Sequence, residues 1–241
     1  MRIPAPCARC FLDSHKEGKI VLFSGHMLDE GYVLVDCNKG HKSVIIYDER
    51  KHDLLFQSAC LAFIDGYERE AVSGFAASLE RLYEFFIRII SRKENVEDKV
   101  FEKTWKLISK QSERQFGCFV MLYALETGEP YEIQNKLIEF RNKVIHQGYI
   151  PKSQETREFG ENVFAIKKEI TKLLTDRYSV FVKKEIEHDL NERKKRAPKE
   201  LPQLNMKATL VHVNTETNVA YDIETFTEYL EAMRNRLKYI R

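Results

Sequence analysis

The chain has 241 residues, of which 39 are Lys or Arg and 37 are Asp or Glu, leaving a formal charge of +2. With 43% hydrophobic residues, 15 Phe and 11 Tyr against six Pro, it can bury a substantial core, which excludes disorder as its dominant state. The balanced charge excludes a protein that coats nucleic acid by bulk electrostatics, while leaving room for a local site. No apolar run approaches the ~20 residues of a membrane span, since Arg88 cuts the stretch Phe85-Phe86-Ile87-Arg88-Ile89-Ile90. The first residues, Met1-Arg2-Ile3-Pro4-Ala5-Pro6, lack the apolar centre of a signal peptide. A cytoplasmic protein with no membrane partner is expected.

Along the chain, residues 1–50 hold Gly18, Gly25, Gly31 and Gly40 and short β-like runs at 20–23, 32–36 and 43–47. Residues 51–190 read as helix, with segments at 53–66, 68–92, 97–109, 114–127 and 131–147, then one long helix or two consecutive ones over 153–189. Pro130 and Pro151 fall where helices should stop or start. Residues 191–204 are charged and hold two prolines, which predicts a solvated linker. Beyond it, 208–213 and 218–223 can pair as a hairpin, and the capping box Thr225-Phe226-Thr227-Glu228 opens a closing helix. The expected organisation is mainly α: a small β module over 1–50, an antiparallel helical bundle over 51–190, and a small α/β tail over 191–241.

The β module carries a metal-ligand pattern. Cys7-Ala8-Arg9-Cys10 is C-x2-C, and Cys37-Asn38-Lys39-Gly40-His41 is C-x3-H. Three thiolates and an imidazole suit the tetrahedral preference of Zn²⁺, and four protein ligands leave no position for a substrate water. The expected site is therefore structural, in a zinc ribbon-like module too small to be held by its core alone. The alternative is a set of unliganded thiols. His15 and His26 are weaker choices of fourth ligand, because neither is paired with a Cys at this spacing. Cys60 and Cys118 sit in apolar helical runs and read as small buried hydrophobes.

A second constellation lies in Phe140-Arg141-Asn142-Lys143-Val144-Ile145-His146-Gln147-Gly148-Tyr149. The loose spacing R-x4–6-H arises readily by chance, as Arg9-x5-His15 illustrates, but the tighter R-N-x3-H occurs once. Upstream, Asp65-Gly66-Tyr67-Glu68-Arg69-Glu70-Ala71 leads into Ser78-Leu79-Glu80-Arg81-Leu82-Tyr83-Glu84-Phe85-Phe86. Over residues 50–190 this resembles the HEPN superfamily of helical bundles, many of whose members are ribonucleases with an R-x4–6-H motif. The resemblance implies Arg141, Asn142 and His146 as catalytic residues, RNA as substrate, and a composite site formed by a homodimer. It also implies a toxin or antiviral setting, with an antitoxin or defence-system partner. One HEPN toxin subgroup has a modifiable Tyr two residues after the His; here Tyr149 is three residues after His146.

The chemistry stands without the resemblance. Asn142 and His146 are i,i+4 on one helix face, with Arg141 on its edge. An imidazole can take the proton of a ribose 2′-OH or give one to the leaving 5′-oxygen, and a guanidinium can stabilise the phosphorane charge. Such cleavage leaves a 2′,3′-cyclic phosphate and needs no metal. The rival reading is a non-catalytic dimeric protein that binds a nucleotide or a partner, with Arg141 merely paired to Glu139 or a neighbouring helix. Glu80 and Glu84 are candidate partners of Arg141, or solvated acids. Arg193-Lys194-Lys195-Arg196 can guide RNA, or simply be solvated, and Arg234, Arg236, Lys238 and Arg241 crowd the last helix.

Overall fold

The structure, a computed structural model, describes residues 2–14, 21–132, 135–206 and 223–237. It is mainly helical, with a small N-terminal sheet and a short C-terminal α/β stretch. The chain forms two compact units, Met1–Ser58 with Ile186–Arg241, and Ala59–Glu185. Among the described residues no helix is long and apolar enough to cross a membrane.

The first unit is built on a five-stranded sheet in the order β1 (Arg2–Pro6), β2 (Leu22–Met27), β3 (Val33–Asp36), β4 (Lys42–Tyr47), β5 (Gln203–Met206). The first four strands form an antiparallel meander, and β5 adds in parallel to β4, with Val44 opposite Gln203 and Tyr47 opposite Met206. Strand β1 carries Pro4 and Pro6, which a ladder tolerates at an edge because a proline donates no hydrogen bond. The period of two sorts β4 onto two faces. Ile45 and Tyr47 pack with Ile3, Ala5, Val33 and Val35, and the thiols Cys7, Cys10 and Cys37 share that core. Val44 and Ile46 pack on the other side with Tyr32 and Ala197, and with Leu190 and Leu201.

Helix α1 (Ala8–Ser14) connects β1 towards β2, and α2 (Lys51–Ile64) begins in this unit. Helix α8 (Phe226–Leu237) buries Phe226, Tyr229, Leu230 and Met233, an i, i+3, i+4, i+7 stripe. Its rings meet Phe56 of α2 edge-on, at 6.0 Å for Phe226 and 5.4 Å for Tyr229. The predicted capping box is present: Thr225 Oγ1 accepts from the Glu228 N–H at 3.2 Å, and Glu228 Oε2 accepts from the Thr225 N–H at 2.9 Å.

The predicted linker is a correction. Helix α7 (Ser153–Arg196) continues through the charged stretch, and β5 takes its end. Leu190, Ala197 and Leu201 pack on the sheet, and Arg193 is only 4% exposed. Its guanidinium donates to the carbonyls of Tyr47 at 3.0 Å and Glu49 at 2.7 Å and pairs with Asp189. A cation satisfied by main-chain carbonyls looks the same in sequence as a solvated one. The predicted hairpin at 208–213 and 218–223 lies outside the described residues save Ile223.

The second unit is helical: α3 (Glu68–Lys93), α4 (Asp98–Ile108), α5 (Ser112–Thr127) and α6 (Asn135–Gln147), with the adjoining parts of α2 and α7. Helix α3 is its spine, packed against α5 and α6. Its buried stripe runs through Val72, Phe75, Leu79, Leu82, Phe86 and Ile90. Phe119 of α5 lies fully buried against Tyr83 and Phe86, at centroid distances of 4.3 and 5.1 Å. Helix α6 is described from Asn135, and Tyr131, the predicted first residue of that helix, lies outside it with its ring centroid 4.8 Å from that of Phe119. Over 153–189 the chain is one helix interrupted at Tyr178, where φ is −132° and ψ is 25°.

Candidate functional site

The four predicted metal ligands converge. The ligand atoms of Cys7, Cys10, Cys37 and His41 all lie within 4.8 Å of one another. Cys10 Sγ is 3.8 Å from Cys37 Sγ and 3.4 Å from His41 Nδ1. Two local structures bring them together. Cys7 stands just before α1 and Cys10 lies inside it, so they share a helical turn. Cys37 and His41 bracket the turn between β3 and β4, closed by the Cys37 N–H on the His41 carbonyl and the Gly40 N–H on the Cys37 carbonyl. Gly40 has φ +77°, a conformation in which a side chain would be strained.

The sulfurs differ in their surroundings. Burial pushes the Cys7 thiol up, but the N–H groups of Cys10 and Arg9 and the Ser43 hydroxyl outweigh it and hold the thiol at about 6. Cys10 is pushed up to about 11 by burial, by its hydrogen bonds to Cys37 and Cys7, and by repulsion from the same two groups. Three thiolates this close repel one another, and a cation between them removes that penalty. The donor set is three soft sulfurs and one imidazole, which can hold a metal ion. His26 lies in β2 opposite Leu34, apart from this group, and His15 lies outside the described residues. Cys60 is buried, which pushes its thiol well up, and Cys118 is half-buried.

The second constellation is assembled on α6. Val144 is fully buried and anchors that helix, leaving Arg141 and Asn142 half-buried and His146 exposed. One terminal nitrogen of Arg141 donates to Asn142 Oδ1 at 2.9 Å and lies 3.2 Å from His146 Nε2. The other donates to Glu80 Oε1 of α3 at 2.8 Å. A guanidinium has only donors, so a hydrogen bond in this contact has Nε2 as its acceptor. Arg141 thus touches both of the other motif residues.

Of the two acids weighed as partners, Glu80 binds Arg141, whereas Glu84 is engaged by Arg81 at 2.5 Å and Arg88 at 3.1 Å. Tyr149 hydrogen-bonds Glu155 at 2.9 Å, with the Lys143 ammonium 3.6 Å from its ring centroid. Lys194, Lys195 and Arg196 are exposed in the last turn of α7, and Lys195 pairs with Glu192 at 2.6 Å. Arg234 is exposed on α8, and Lys238 and Arg241 lie outside the described residues.

No family model, curated protein or solved structure matches the chain. Sequence reasoning missed Ser43, which touches Cys7, and the buried role of Arg193. The signal for Ser43 was available: it is the polar member of the set 43, 45, 47 on one face of β4, a strand buried on both faces.

Proposed function

We propose that the chain is an endoribonuclease of HEPN type, with Arg141, Asn142 and His146 as its chemical groups and a structural zinc ion on Cys7, Cys10, Cys37 and His41. The observation that carries the first part is the 3.2 Å approach of the Arg141 guanidinium to His146 Nε2. It sets a phosphate-binding cation beside the imidazole, and once the guanidinium turns to a phosphate, Nε2 is released to accept the proton of a ribose 2′-OH. In-line displacement needs a base on one side of the phosphorus and an acid on the other. Each chain offers one such imidazole, so two copies sharing a cleft supply both, and the functional unit is a homodimer. His146 of one copy takes the 2′-OH proton, the 2′-oxygen attacks phosphorus, and the 5′-oxygen leaves with a proton from the second imidazolium. Arg141 stabilises the phosphorane, and Asn142 holds the guanidinium in place. A toxin or antiviral effector that cuts RNA is the setting this reading fits.

The metal part rests on the donor set and its spacing. A tetrahedron with zinc–sulfur bonds of ~2.3 Å has sulfur–sulfur edges of roughly 3.8 Å and sulfur–nitrogen edges of roughly 3.5 Å. Two of the six separations match these edges, Cys10–Cys37 at 3.8 Å and Cys10–His41 at 3.4 Å, and all six lie within 4.8 Å. A filled four-ligand shell gives zinc a stapling role, apart from the RNA chemistry.

Incubation of the purified protein with total RNA in EDTA, followed by analysis of 3′ ends, tests the ribonuclease. Fragments ending in 2′,3′-cyclic phosphate are expected from the wild type and not from His146→Ala. A folded wild type that cuts no RNA overturns the proposal and leaves the nucleotide- or partner-binding protein.

A further inference from the structure

We infer that Ser43 is a positioning residue of the metal site, its hydroxyl donating to the Cys7 sulfur and fixing that ligand against β4. This rests on the reading that the four side chains hold zinc. Ser43 is fully buried, and its neighbours in the alternating inward register of β4 are Ile45 and Tyr47. A hydroxyl at such a position is costly unless both its capacities are used. Here they are. The Ala8 N–H donates to Ser43 Oγ at 3.1 Å, and Oγ lies 3.2 Å from Cys7 Sγ. With the Ala8 N–H on one lone pair and a metal-bound thiolate carrying no proton, the hydroxyl is the donor to the sulfur.

The charge of the site gives this contact its purpose. Three thiolates and Zn²⁺ sum to −1, and that excess charge is buried. Cys7 is its most enclosed sulfur, at 0% exposure against 8% for Cys10 and 7% for Cys37. Water cannot solvate it, so protein donors must, and the Ser43 hydroxyl stands 3.2 Å from the sulfur. Hydrogen-bonded outer groups of this kind both orient a ligand and stabilise its anionic form.

The test uses the full chain loaded with Zn²⁺ or with Co²⁺ as a spectroscopic substitute. Affinity is read by competition with a chromophoric chelator. Ser43→Ala is expected to bind about 10–100-fold more weakly than wild type. Its Co²⁺ adduct is expected to show a sulfur-to-metal charge-transfer band at longer wavelength, because a thiolate without its donor is easier to oxidise. Ser43→Thr keeps the hydroxyl and should restore both readouts, whereas the isosteric Ser43→Val should not. This Thr and Val pair decides the question even if the alanine variant fails to fold. Equal affinity and an unshifted band in a folded Ser43→Val protein would overturn the role of Ser43 while leaving the metal site standing. A wild type that binds neither ion would overturn the metal reading, and this inference with it.

Discussion

His146 is exposed and Arg141 half-buried, so both can be shortened without opening the core, and their substitutions report on chemistry. His146→Ala is expected to reduce RNA cleavage by ~10²–10⁴-fold, the usual worth of a general acid or base. Arg141→Ala should cost ~10²-fold or more, as removal of one transition-state donor does, and Asn142→Ala less. His15→Ala is the control, expected to leave cleavage rates unchanged. Glu80 belongs to the same cluster by a weaker link. Its ion pair with Arg141 is partly solvated, worth ~1 kcal/mol or less, so Glu80→Gln should slow cleavage by about fivefold at most and barely move the melting temperature. Cleavage rates and thermal melts of the same preparations check both statements. A loss with Glu80→Gln as large as that with His146→Ala would make the carboxylate a proton carrier.

The helices were largely legible because their signals are local. The 3.6 period of α3 and the Gly128-Glu129-Pro130 stop are contained in a few turns, and the structure has α3 at Glu68–Lys93 and an αL C-cap at Gly128. The candidate metal ligands were legible for the same reason: each pair is separated by two or three intervening residues, and only the joining of the pairs required a fold. What was not legible depends on distant partners. Nothing near Gln203–Met206 announces a strand, since its ladder is with β4, and nothing near Arg193 announces the carbonyls of Tyr47 and Glu49. Gly74, mid-helix in α3, belongs to this class. A Cβ there would stand 2.9 Å from Ala59 Cβ and 3.2 Å from its Cα, so the glycine permits α2 and α3 to approach. Gly74→Ala gains ~1 kcal/mol of helix propensity but incurs ~1–3 kcal/mol of overpacking against backbone that cannot swing aside. A net loss of stability is expected, read as a lower urea midpoint; a rise would mean the helices separate freely.

For the whole chain, the two units should respond differently to loss of metal. On the proposed zinc reading, stripping the metal is expected to abolish amide hydrogen-exchange protection across β1–β4 while α3 and α5 keep theirs, because Cys7, Cys10, Cys37 and His41 all belong to the first unit. Equal loss in both would contradict a local staple. Light scattering at micromolar concentration is expected to give twice the mass of one 28.4 kDa chain, and a monomer would leave the proposed acid and base without each other. The parallel strand β5 has a bearing on how the protein is made. Val44 and its partner Gln203 are 159 positions apart, so at ~5–20 residues per second a ribosome needs roughly 8–32 s to deliver the second after the first. During that interval all four metal ligands are already outside the ribosome, and β4 waits with an open edge. Val44 and Ile46 wait with it, covered only in part by Leu28, Tyr32 and Leu34 until Leu190, Ala197 and Leu201 emerge. The nascent chain therefore passes through a sticky, half-closed sheet that a metal ion can hold in register, and zinc starvation during synthesis should cost yield even if zinc is restored afterwards.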